Sequence, residues 1–205
     1  QNYQVFNDVR SRYYSENSFV NGYPAATGIG MNAGGVILEF VAVNQSPDVR
    51  IVPIKNPRQI NAYSYSNEVL VGKTVSQVAG KASPKFERAK YVAFQNIAQV
   101  YISGTAAIIG QESNSDQNAK EQTIITIKNI QQLISEINLK NHHIEVEDGP
   151  PSLSYLRVYV KNGKNLNEVK RVCEKYYPAV PISYLISDIC RTELLVEIEG
   201  IAAWH

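Results

Sequence analysis

The chain has 205 residues, enough for one large domain or two small ones and for a real apolar core. Lys and Arg total 20 against 19 Asp and Glu, a formal charge of +1, which offers no electrostatic case for nucleic acid. No run approaches the roughly 20 apolar residues of a membrane span, no signal-peptide pattern opens the chain, and the two cysteines suggest no disulfide framework, so a cytoplasmic protein is expected.

Tyr3, Phe6, Val9 and Tyr13 recur at three- and four-residue steps, the stripe of an amphipathic helix. No cap precedes them and Gln1 is an unusual first residue, so an N-terminal part missing from this chain is expected. Residues 25–43 (AATGIGMNAGGVILEFVAV) then read as a strand, a Gly-rich turn and a clear strand over 36–43. Gly28 and Gly30 make a GxG, but the third glycine of a dinucleotide fingerprint is absent and a strand follows in place of a helix, so no nucleotide site is expected. Pro47, Pro53 and Pro57 punctuate the next stretch, and residues 72–85 are rich in Ser, Gly, Lys and Val; this reads as a connector with short extended pieces.

Arg88 lies just before the next strand, in KFERAKYV. Residues 99–110 (QVYISGTAAIIG) form a strand interrupted at Ser103–Gly104–Thr105, and glycine inside a strand marks a bulge or the close approach of a ligand. Ser115 or Asp116 caps a helix to about Asn138, with Ile124, Ile127, Ile130, Ile134 and Ile137 on one face. His142 and His143 fall in a polar loop with no further metal ligands nearby. SYLRVYVK, residues 154–161, alternates as a strand, and Asn165 caps a second helix to Tyr177 that buries Leu166, Val169, Cys173 and Tyr176.

The C-terminal stretch PISYLISDICRTELLVEIEGIAA reads as a hairpin, with apolar runs over 182–189 and 194–202 around Arg191–Thr192–Glu193. Alternation puts Glu197 and Glu199 on one face, opposite Val196, Ile198 and Gly200. Two carboxylates on one face of an otherwise buried strand call for a salt bridge, a subunit contact or an acid in a cleft. There is no CxxC, HExxH, Walker loop or GxSxG, and thirteen tyrosines suit a small-molecule pocket and a subunit interface equally.

The expected architecture is α+β, a mixed sheet covered on one face by two helices, over residues 88–205. Residues 1–45 resemble the second half of the same unit, with 46–87 as connector, so an internal pseudo-repeat is expected whose first copy is incomplete. Laid together, the two endings match Glu39 with Glu199 and Ile37 with Glu197, leaving Glu197 peculiar to the second copy.

ISGTAAIIG at 102–110, Gln122 and the terminal LLVEIEGIAA resemble the RidA/YjgF superfamily, often labelled endoribonuclease L-PSP, which has a chorismate-mutase-like fold and forms trimers with clefts between subunits. More finely, PAATGIG at 24–30, SGTAAIIGQES at 103–113 and DICRTELLVEIEG at 188–200 resemble the chorismatases of the 3-hydroxybenzoate synthase type. This resemblance implies an enzyme without cofactor or metal that cleaves the enolpyruvyl ether of chorismate. The products would be pyruvate and a hydroxybenzoate, 3-hydroxybenzoate favoured, or a dihydrodiol. It implies Glu197 as the catalytic carboxyl, and Arg88 and Arg191 as candidates for the two substrate carboxylates. Tyr101, Ser103, Thr105 and Tyr184 would add hydrogen bonds, and Cys190 and Gly104 match positions of the hydroxybenzoate-forming subfamily. The partner is then a chorismate-like dicarboxylate, with no nucleic acid or membrane, in a pseudo-symmetric monomer or a homotrimer. The alternatives are a RidA-type enamine or imine deaminase, whose cleft arginine this chain replaces with Ser183 or Tyr184, and a noncatalytic ligand-binding protein.

Overall fold

The computed structural model describes residues 3–44, 46–70, 81–146 and 148–204. Helix α1 (Tyr3–Glu16) comes first, followed by strands β1 (Val49–Ile54), β2 (Ala89–Phe94) and β3 (Ile97–Ala106). Two-residue strands β4 (Ile108–Ile109) and β5 (Glu112–Ser113) pair with each other, and helices α2 (Ala119–Leu133) and α3 (Glu136–Asn141) follow. Strand β6 (Ser152–Val160), helix α4 (Leu166–Tyr176) and strands β7 (Ile182–Ile186) and β8 (Val196–Ala203) complete the chain. No described helix is long and apolar enough to cross a membrane.

The long strands make one sheet in the order β1–β2–β3–β8–β6–β7. Every pair is antiparallel except β6–β7, which is parallel and carries α4 in its crossover. Helices α2 and α4 pack together over one face, as the expected α+β class requires. Strand β8 sits near the sheet's centre because alternation gives it two useful faces. Val196, Ile198 and Ala202 are fully buried toward α2 and α4 against Ile127, Ile130, Val158 and Val169, each large aliphatic side chain contributing about 2 kcal/mol by its burial. Gly200 permits the closest approach in this layer, since a Cβ there would lie 2.6 Å from both Leu156 Cδ2 and the Tyr155 carbonyl oxygen. Glu197 and Glu199 point to the opposite face.

Several expectations are corrected. The last two strands are not a hairpin: β6 lies between β7 and β8, and residues 187–195 arch over from one side of it to the other. The apolar run over 182–189 matched a buried hairpin strand in composition, but β7 is a half-exposed edge strand that ends at Ile186. Helix α2 is capped by Asn118, not Ser115 or Asp116, through a reciprocal capping box with Glu121. It stops at Leu133, because the Ser135 side chain accepts the Asn138 N–H and starts α3. Ile137 thereby leaves the isoleucine face and is 73% exposed. Asn165 makes no side-chain cap to α4, and Val172 takes the buried place expected of Tyr176. The connector contributes the edge strand β1; its residues 71–80 lie outside the described residues.

The first 44 residues differ most. Residues 25–30 form only single bridges, Ala25 with Glu87 and Gly30 with Asp188, and residues 36–43 belong to no strand. Val36 is 96% exposed and Phe40 77%. Glu39 does not mirror Glu199; it reaches Arg157, with Oε2 3.3 Å from Nη2. The described residues hold one six-stranded sheet to which residues 3–44 add no strand, so the internal repeat is not confirmed. Helix α1 exists as expected, but Phe6, Val9 and Tyr13 face outward while Gln4 and Asn7 are buried.

Candidate active site

The inverted burial of α1 marks the site. Its polar side chains Tyr3, Gln4, Asn7 and Arg10 line a cleft of about 730 Å³, counting the open mouth, together with Tyr65, Phe86, Arg88, Gly104, Cys190, Arg191 and Glu197. Sequence reasoning gathered five of these residues and missed the rest. Gln4, Asn7 and Arg10 do recur at helical steps, but a two-faced helix does not announce which stripe turns inward.

Glu197 is the cleft's acid. Strand β8 carries it, and β3 makes room for it. The β3–β8 register shifts between Ile102 and Thr105, and Gly104 lies in that irregularity beneath the carboxyl. A Cβ on Gly104 would stand 2.0 Å from Glu197 Oε1, so the side chain rests directly on bare backbone. The Gly104 N–H donates to Thr27 Oγ1 at 2.8 Å, which pins the chain passing over the bulge. Burial, then the charge of Glu199, pushes the Glu197 carboxyl up to about 8, with Arg88 pulling the other way. That raised value favours the protonated carboxyl near neutral pH.

Arg88 and Arg191 supply the positive charge. They are 2% and 6% exposed, and neither has a carboxylate within salt-bridge distance among the described residues. Arg88 Nη2 donates to the Ile60 carbonyl oxygen and to Tyr65 Oη, the latter at 2.6 Å. Arg191 Nη1 donates to the Gln111 carbonyl oxygen at 2.9 Å and to Ser113 Oγ at 3.1 Å. Both guanidinium groups lie against one ring, their carbons 5.5 and 5.2 Å from the Tyr65 centroid. Arg88 Nε and Arg191 Nη2 are buried without a partner among the described residues. Two neighbouring buried cations with spare donors are costly unless an anion joins them.

Cys190 lines the cleft with its thiol pushed up to about 12, by burial first and then by Glu197, so it is a small neutral wall and no nucleophile. Burial also raises the Tyr3 hydroxyl, with Cys190 and Glu197 adding to it. The arch carrying Cys190 and Arg191 is fastened by Gln122 on α2. Its side-chain nitrogen donates to the carbonyl oxygens of Gln117 (3.1 Å) and Glu193 (3.0 Å), and its oxygen accepts the Leu195 N–H at 2.8 Å.

Four candidates stand elsewhere. Ser103 is buried structure, donating to the Glu87 carbonyl oxygen at 2.6 Å and accepting the Ala26 N–H at 3.0 Å. Thr105 Oγ1 turns back to the Ser103 carbonyl oxygen at 2.9 Å, because the bulge points it away from the cleft. Tyr101 donates to Gln99 Oε1 at 2.9 Å along its own strand. Tyr184 lies on the helix face against the α4 packing, beside Cys173, since β7 pairs it with Val158. Among the described residues no cluster of three His, Cys, Asp or Glu side chains could hold a metal ion.

A protein-family model described as endoribonuclease L-PSP matches residues 81–204. The chain belongs to the endoribonuclease L-PSP family. A 3-hydroxybenzoate synthase of Streptomyces hygroscopicus is 35% identical over 184 residues, which cover 87% of this chain and 50% of that protein. A chorismatase of Streptomyces rapamycinicus is 31% identical over 183 residues, 88% of this chain and 51% of the relative. A chorismatase crystal structure superposes with a TM-score of 0.79 at 27% identity, covering 98% of this chain and 57% of the other. This L-PSP family member thus spans about half the length of the curated relatives it matches.

Proposed function

We propose that this chain carries the acid and the anion-binding groups of a chorismatase-type reaction, cleaving the enolpyruvyl ether of chorismate to release pyruvate, with 3-hydroxybenzoate as the favoured second product. The observation that carries the reading is a buried Glu197 facing a cleft that also holds two buried arginines without carboxylate partners among the described residues; burial pushes that carboxyl up to about 8. Similarity to proteins named 3-hydroxybenzoate synthase and chorismatase supports it.

The chemistry follows from the charges. The Glu197 proton passes to the methylene carbon of the enolpyruvyl group, whose π electrons form the new C–H bond. The ether carbon becomes an oxocarbenium-like centre, and the Glu197 carboxylate left behind stabilises it across the cleft. Water adds to that carbon, and the hemiketal collapses to pyruvate and a ring hydroxyl. For 3-hydroxybenzoate, the water gained in ether cleavage is lost again in aromatisation, so no net water is consumed. Arg88 and Arg191 bind the two substrate carboxylates through the donors they leave unused. Gly104 and Cys190 give the acid and the ring the space that larger side chains would take.

The test is chorismate incubated with the purified protein, following pyruvate and the aromatic product, with Glu197→Gln beside it. Pyruvate from the wild type and none from the variant is expected. A folded wild type that releases none overturns the reading.

A further inference from the structure

We propose that Glu199 is a positioning residue for the Glu197 acid: it draws the Tyr159 hydroxyl and the Arg157 guanidinium to itself and so keeps both donors off Glu197. The proposal rests on reading Glu197 as the acid.

In the β6–β8 register Tyr159 stands directly across from Glu197, and Arg157 directly across from Glu199. Opposite residues share a face and lie closest together. Tyr159 is buried, so an aromatic ring stands beside the acid, and its hydroxyl can donate to a carboxylate on this face. That hydroxyl instead donates to Glu199 Oε1 at 2.6 Å, and Arg157 Nη1 donates to the same oxygen at 2.8 Å. Burial, followed by this bond to Glu199, raises the Tyr159 hydroxyl, which therefore stays a donor.

Two consequences act in the same direction. A donor that would favour ionised Glu197 is occupied elsewhere, and a negative charge two residues along the strand disfavours a second one. The other groups around Glu197 are Tyr3 and Arg10 from α1, Arg88 before β2, and Cys190 and Arg191 from the arch. Arg88 works against retention of the proton. Glu39, exposed, reaches Arg157 from outside and leaves Glu199 as its nearer partner. If the Arg157–Glu199 pair merely tied β6 to β8, losing it would weaken the fold and leave the acid's titration where it was.

The carboxyl carbon of Glu197 is titrated by NMR, without substrate, in wild type and in Glu199→Gln, Arg157→Gln and Tyr159→Phe. In Glu199→Gln the midpoint falls by on the order of one pH unit, because the repelling charge goes and its two donors are released. In Arg157→Gln it rises, because Glu199 keeps its charge without its partner. Tyr159→Phe leaves it level or higher. A Glu199→Gln midpoint that holds or rises, or an Arg157→Gln midpoint that holds or falls, overturns the proposal; if Glu199→Gln does not fold, Arg157→Gln alone decides it. Pyruvate release across pH is read in parallel, its alkaline limb moving with each midpoint. Absent turnover with the opposed shifts intact removes the reaction and leaves the positioning role standing.

Discussion

A methyl group on Gly104 tests whether bare backbone sets the place of the acid. In Gly104→Ala the new Cβ would stand 2.0 Å from Glu197 Oε1, 3.1 Å from its Cδ and 2.9 Å from Thr27 Cγ2. Ordinary contact begins near 3.4 Å, so Oε1 must retreat by about 1.4 Å (3.4 − 2.0). The obstructed atom is the far end of a side chain that can turn, and the Thr27 methyl can turn as well. The cost to folding therefore lies at the lower end for overpacking, about 1 kcal/mol. The cost to the reaction is larger, because moving a reacting group by about 1 Å loses about 100-fold in rate. Urea unfolding measures the first quantity and steady-state pyruvate release the second. A folded Gly104→Ala protein with the wild-type rate would refute the argument that Gly104 positions Glu197.

Folded Glu197 keeps to about pH 8 a proton that an unfolded glutamate loses near 4.5, so raising pH between those values favours the unfolded chain and stability falls across that window. Glu197→Gln, neutral at every pH, removes the fall: its urea midpoint matches the wild type near pH 5 and exceeds it near pH 8, and parallel curves would contradict the assignment. Arg88→Met weakens binding of chorismate by about 2 kcal/mol, or about 30-fold in Kd, read by calorimetry on the Glu197→Gln background; an unchanged Kd removes Arg88 from the site. His142 joins α3 to β1, its Nε2 accepting the Lys55 N–H at 2.9 Å and its Nδ1 2.7 Å from the Asn138 carbonyl oxygen. His142→Ala should cost about 1 to 2 kcal/mol and speed hydrogen exchange at the Lys55 amide, and unchanged exchange there would show that the imidazole does not hold the strand.

What was legible in the sequence was what depends on local periodicity. Strand β8 announced itself by alternation, and α4 by its three- and four-residue steps. Glycine inside β3 pointed to a bulge, and the bulge seats the acid. What could not be read depends on pairing between distant segments. The run ending at Ile186 looked like the first arm of a hairpin because composition says nothing about whether the neighbouring strand is sequential or, as here, the parallel β6. Residues 36–43 have strand composition and no ladder partner among the described residues. Tyr184 was placed by motif in the cleft, and pairing with Val158 turned it to the helix side. Helix α1 failed differently, since its existence was plain and only tertiary contact decided that Gln4 and Asn7 face inward. The charges at Arg88 and Arg191 were visible; their burial without carboxylate partners among the described residues was not.

Gln122 gives the arch above the cleft an unusual mechanical character. It grips the Glu193 carbonyl and the Leu195 amide from a fully buried position on α2, and the Asp188 backbone exchanges hydrogen bonds with Gly30 at the arch's other shoulder. A loop fastened at both shoulders moves with the core and not by itself. Arg191 is thus held in place by the core, so in the proposed reaction little conformational entropy is lost when its free nitrogen meets a substrate carboxylate. The affinity of that contact is drawn partly from a helix on the far side of the sheet.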